Sequence, residues 1–82
     1  MLRVFYFAQL RDIVNCGEET IQWQDEFTDL LALKTFLSNR NDMCYKAFAT
    51  NPLAAINQEM AQELDKLNDG DEVAFFPPVT GG

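Results

Sequence analysis

Catalysis by side chains alone needs a nucleophile beside a base, a cluster of metal ligands, or a glycine-rich loop that cradles phosphate. The 82-residue chain contains no histidine. Cys16 and Cys44 have neither metal-ligand spacing nor a CxxC arrangement, so no metal site is expected. Glu18 and Glu19 are adjacent, and on a strand their carboxylates point to opposite faces, which makes a solvated edge the expected reading. That leaves the terminal FFPPVTGG. Its α-carboxylate, with an intrinsic pKa of about 3.5, is ionised at neutral pH and is a weak nucleophile. Pro77 and Pro78 fix φ and carry no N–H, so they end a sheet ladder after Phe76 and lead the chain away extended. From there Val79, Thr80, Gly81 and Gly82 complete an arm that could reach roughly 20 Å. Gly81 and Gly82 lack side chains and can enter a channel too narrow for other residues. Two readings compete: an ordinary chain end, or a carboxylate held out for another protein's active site. The prolyl stop directly after an aromatic strand favours the second.

The elements that must carry this arm are few. A chain of this length builds one domain with one modest core. Its composition, 48% hydrophobic and 23% charged, is that of a globular protein. Thirteen acidic against six basic residues give a net charge of −7, the wrong sign for gripping phosphate backbones or anionic membranes. Nucleic acid and membrane partners are therefore not expected, and a protein partner with a basic face is. No apolar run is long enough for a membrane span, and the N-terminal segment has no signal-peptide cleavage pattern; a cytoplasmic location is expected.

LRVFYFA reads as a strand with Leu2, Val4 and Tyr6 on one face and Arg3, Phe5 and Phe7 on the other. AQLRDIVN places Leu10, Ile13 and Val14 at helical spacing, with Gly17 as the stop. EETIQW reads as a second strand. FTDLLALKTFLSNR is the clearest helix, capped by Asp29 or Thr28, with Leu30, Leu33 and Leu37 forming its apolar stripe and Phe36 widening it. From residue 39 to residue 52 the pattern weakens, which predicts a loop with at most one further helical turn. LAAIN and EMA read as two brief strands, NDGD as a tight turn, and EVAFF as the last strand. The order predicts an α+β fold with one main helix laid across one face of a mixed sheet. The domain would span residues 1–76 and the extended tail residues 77–82.

If Val73 and Phe75 face the helix, Ala74 and Phe76 face the other way, beside Phe5 and Phe7 of a neighbouring strand. A sheet face left bare would present several aromatic rings and would imply a partner. The alternative is that the stretch from residue 39 to residue 52 folds over it.

DGDEVAFFPPVTGG at the end, FAQLRD near the start and AAINQ between them resemble the small-subunit family of molybdopterin synthase, which are ubiquitin-like sulfur carriers. The resemblance runs the length of the chain in order, and its most specific element is residues 69–82. It implies a β-grasp fold, in agreement with the element order. It also implies that Gly82 is adenylated with ATP by an activating enzyme of the ubiquitin-activating type, then converted to a thiocarboxylate. The tail, Pro77, Pro78, Val79, Thr80 and Gly81, would insert into the large synthase subunit and deliver sulfur to a cyclic pyranopterin monophosphate, making the dithiolene of molybdopterin. No cofactor would be held permanently; ATP and the sulfur on Gly82 pass through. By the family's pattern a patch of Phe7, Met60 and Phe76 meets both partners, in an assembly of two small and two large subunits. Phe7 and Phe76 reach that face by alternation as well; Met60 rests on the resemblance. Acid and base residues would come from the large subunit. A carrier serving thiamine thiazole synthesis, or a modifier joined to protein lysines, would use the same carboxylate. An acyl-carrier-like domain would need a serine at the head of a helix, and Ser38 lies at a helix end.

Overall fold

Alternation along the first strand decides which side of the sheet is covered. In the computed structural model, which describes residues 1–78, strand β1 (Leu2–Tyr6) buries Leu2, Val4 and Tyr6 completely and leaves Arg3 exposed and Phe5 half-buried. The last strand, β5 (Glu72–Phe76), repeats this with Val73 and Phe75 fully buried. The remaining elements are α1 (Gln9–Val14), β2 (Glu18–Ile21), α2 (Leu30–Ser38), α3 (Asp42–Ala49), β3 (Leu53–Ile56) and β4 (Glu59–Ala61). The five strands form one mixed sheet in the order β2-β1-β5-β3-β4. β1 and β5, from the two ends of the chain, lie parallel at its centre, and the other pairings are antiparallel. This is the expected β-grasp.

Helix α2 begins where Asp29 accepts a hydrogen bond from the Ala32 N–H at 2.9 Å, satisfying one of the open donors of its first turn. Its stripe of Leu30, Leu33 and Leu37 is buried against the sheet, each leucine contributing about 1.5–3 kcal/mol by leaving water. Phe27 and Leu67 are buried in the same core. Gly70, at φ 96°, makes the turn into β5 with no Cβ to strain. Between β3 and β4, Asn57 and Gln58 both have positive φ, as a two-residue type I′ turn requires. The Asn57 side chain accepts from the Glu72 N–H at 3.0 Å and donates to Asp71 at 2.9 Å, pinning this hairpin to the start of β5.

Two expectations are corrected. The stretch from residue 39 to residue 52 holds the eight-residue helix α3, capped by Asn41, whose side chain accepts from the Cys44 N–H at 2.8 Å. Its buried side chains are Cys44 and Ala47, and Phe48 packs edge-on against Phe75 and Tyr6 on the core side. The segment therefore thickens the helical layer and does not fold over the opposite sheet face. Second, α1 stops at Asn15 and not at Gly17, and it is Asn15 that takes the left-handed conformation (φ 61°, ψ 40°). An asparagine tolerates that region because its short polar side chain bonds locally; Gly17 instead accepts the Tyr6 N–H at 3.0 Å, across to β1.

Candidate docking face and tail root

The parallel register of β1 and β5 sets Phe5 beside Ala74 and Tyr6 beside Phe75. One step further, Phe7 donates its N–H to the Phe75 carbonyl at 3.1 Å, which brings the Phe7 ring over Phe76. The two rings stack with centroids 5.3 Å apart and planes 11° from parallel, and Phe5 stacks on Phe7 at 6.4 Å. The row across the sheet continues from Ala74 to Ala55 and from Ala55 to Met60, while Phe76 pairs with Leu53. Phe7, Phe76 and Met60 thus share the face turned away from the helices. Phe7 is 45% and Met60 66% exposed, and Phe76 is half-buried.

Leu53, 38% exposed, and Ala55 belong to the same face and were not singled out from the sequence. Their signal was the alternation about the core residue Ala54. Polarity divides the face along the strands. At the end from which the chain leaves toward Pro77, it is apolar. At the other end Arg3 ion-pairs with Glu18 at 2.8 Å and lies 5.1 Å over the Phe5 ring, and Glu72 is its neighbour on β5. The Arg3 guanidinium is held above its ordinary pKa by the hydrogen bond it donates to Glu18.

Glu18 and Glu19 point to opposite faces, as adjacency on a strand demands. Glu19, however, is no solvated edge. Arg40, from the turn between α2 and α3, grips both its oxygens at 2.8 and 2.7 Å, and the Tyr6 hydroxyl donates to it at 2.6 Å. The Arg40 hydrogen bonds hold the Glu19 carboxyl below the usual carboxylate range. Burial, reinforced by the bond to Glu19, pushes the Tyr6 hydroxyl well above its ordinary value. This clasp ties β1, β2 and the helical layer together, and its groups are engaged with one another.

Pro77 is half-buried and Pro78 exposed. With Ala8, Gln9, Leu10, Ile13 and Thr50 they line a cleft of about 430 Å³ at the root of the tail. Val79, Thr80, Gly81 and Gly82 lie outside the described residues. Among the described residues no group of three histidine, cysteine, aspartate or glutamate side chains is placed to hold a metal, and no helix is long and apolar enough to cross a membrane. The arrangement presents an apolar, ring-paved face that runs directly into the departing chain.

The model of the ThiS family matches residues 4–82. The molybdopterin synthase sulfur carrier subunit of Haemophilus influenzae is 40% identical over 83 residues, covering all of both chains. Among solved structures, the putative molybdopterin converting factor subunit 1 of Pyrococcus furiosus superimposes with a TM-score of 0.77 at 25% identity, covering 95% of this chain and 97% of that one. In the complex of subunits 1 and 2 of the molybdopterin-converting factor from Helicobacter pylori, the matching chain has a TM-score of 0.69 at 23% identity, covering 99% and 97%.

Proposed function

The chain belongs to the ThiS family, and from that premise we propose that it is the sulfur carrier and small subunit of a molybdopterin synthase. The observation that carries this reading is the 40% identity to a curated carrier subunit over the whole of both chains. The domain is residues 1–76 and the working arm residues 77–82. A carboxylate oxygen is a poor leaving group, so the Gly82 carboxylate first attacks the α-phosphate of ATP on an adenylating partner, and pyrophosphate leaves. A sulfur donor then displaces AMP, leaving a thiocarboxylate. This soft nucleophile is carried on the tail into the large subunit, where docking replaces a chance encounter with a positioned one. There it gives its sulfur to the cyclic pyranopterin precursor, and two deliveries complete the dithiolene.

The stacked rings of Phe7 and Phe76, together with Met60, support a docking role for the bare sheet face, because they form an exposed apolar patch at the base of the arm. Both the adenylating enzyme and the large subunit would use it, in an assembly of two small and two large subunits. Proton transfers are assigned to the large subunit. A cytoplasmic location is part of this reading. Intact-mass spectrometry after incubation with the adenylating enzyme, ATP and a sulfur donor is expected to show a gain of about 16 Da at the C-terminus. An unchanged mass with an activator competent on its own carrier refutes the proposal.

A further inference from the structure

Among the described residues, every other position with a positive φ is a glycine, an asparagine or a glutamine beside asparagine, but Ala8 has φ 53° and ψ −128°. With Leu10 donating its N–H to the Phe7 carbonyl at 3.2 Å, residues 7–10 form a β-turn whose second residue has type II′ dihedrals. Glycine takes that position without cost, and a Cβ there is strained. Strain of this kind persists where the surrounding structure holds it, and the surroundings here are those of the working arm. Before Ala8 stands Phe7, stacked on Phe76. After it α1 begins, and Leu10 and Ile13 join Ala8 in lining the cleft beneath Pro77 and Pro78.

We infer that Ala8 is a positioning residue for sulfur delivery. Its Cβ denies the turn the wider range of dihedrals a glycine could visit and lines the cleft it shares with the two prolines, so that Pro77 and Pro78 leave β5 in a single direction. The prolines transmit that direction because their φ angles are fixed. An arm launched in one direction reaches a narrow channel at a higher effective concentration than one launched in many. This inference rests on the proposed sulfur-carrier reading, and it concerns delivery after docking, not docking itself.

The test compares wild type, Ala8→Gly and Ala8→Ser, each loaded as the thiocarboxylate, in single-turnover sulfur transfer with the large subunit. Thermal melting and affinity for the large subunit are measured alongside. Ala8→Gly is expected to melt at or above the wild-type temperature while its transfer rate falls about tenfold. Its Kd should stay within about twofold, because the Phe7 and Phe76 face is intact. Ala8→Ser keeps the Cβ and should keep the rate. A glycine variant that transfers at the wild-type rate overturns the inference. So does a rate loss that follows a drop in melting temperature, a weakened Kd with an unchanged single-turnover rate, or an Ala8→Ser variant as slow as Ala8→Gly. Failure of the wild-type chain to load with sulfur at all is a different result and counts against the sulfur-carrier reading instead.

Discussion

Truncating Phe7 to alanine isolates the docking face from the fold. Phe7 is 45% exposed, and a phenylalanine presents roughly 200 Å², so about 90 Å² of ring is available to a partner. At about 25 cal/mol per Å² this is worth about 2 kcal/mol of docking free energy, or roughly a thirtyfold weakening of Kd for Phe7→Ala. The other half of the ring stacks on Phe76 and Phe5. Losing those contacts should cost about 1–2 kcal/mol of stability, lowering the melting temperature by several degrees, with the chain still folded at 25 °C. Isothermal titration against the large subunit reads the first quantity and a thermal melt the second. Leu31→Ala is the control: Leu31 is 41% exposed but lies on α2, on the covered side of the sheet, and its loss should leave Kd within about twofold. If Phe7→Ala binds as wild type does while melting cooperatively, or if Leu31→Ala weakens binding equally, the bare sheet face is not the docking surface.

Deleting Gly82 should abolish sulfur loading, a loss of about a hundredfold or more in transfer, with a melting curve superimposable on wild type; residual transfer at the wild-type rate would remove Gly82 from the mechanism. The Glu19 clasp sets two limits on stability. Because Arg40 holds Glu19 below the ordinary carboxylate range, the unfolded chain takes up the proton first as pH falls. The clasp's contribution is therefore complete above about pH 4.3 and is lost progressively below it. For Tyr6 the folded value is raised, so its contribution is complete below about pH 10 and declines above. Glu19→Gln should cost about 1–2 kcal/mol at pH 7, between the values for exposed and buried pairs. It should also flatten the acid limb of a melting-temperature profile; a profile parallel to wild type would show that the clasp is not what titrates.

The sheet and the main helix were legible in the sequence because their signals are local and strong. Leu2, Val4 and Tyr6 alternate with polar or aromatic neighbours, and Leu30, Leu33 and Leu37 recur at helical spacing behind an aspartate cap; all six are buried as the pattern demands. Helix α3 was not legible. The side chains it buries, Cys44 and Ala47, are small, so its apolar stripe is faint, and its one clear mark is the Asn41 cap. The partnership of Glu19 with Arg40 was equally hidden, since the two lie 21 positions apart in the chain and only the packing of α2 and α3 on the sheet brings them together.

By itself, then, the sequence determined the layer assignment of the residues in the first and last strands and the place where the ladder must stop, and it pointed to the terminal carboxylate as the candidate for chemistry. These follow from alternation, from the missing N–H of Pro77 and Pro78, and from the absence of histidine, none of which depends on what lies opposite. Only the tertiary structure decided what those residues meet. The parallel pairing of β1 with β5 put Phe7 on Phe76. The register of β3 and β4 brought Leu53 and Met60 to the same face. The turn after β1 forced Ala8 into a conformation that its residue type disfavours. The first two depend on pairing β5 with β1 and β3, segments distant in sequence, and the third is a local strain that the packing around the turn holds in place.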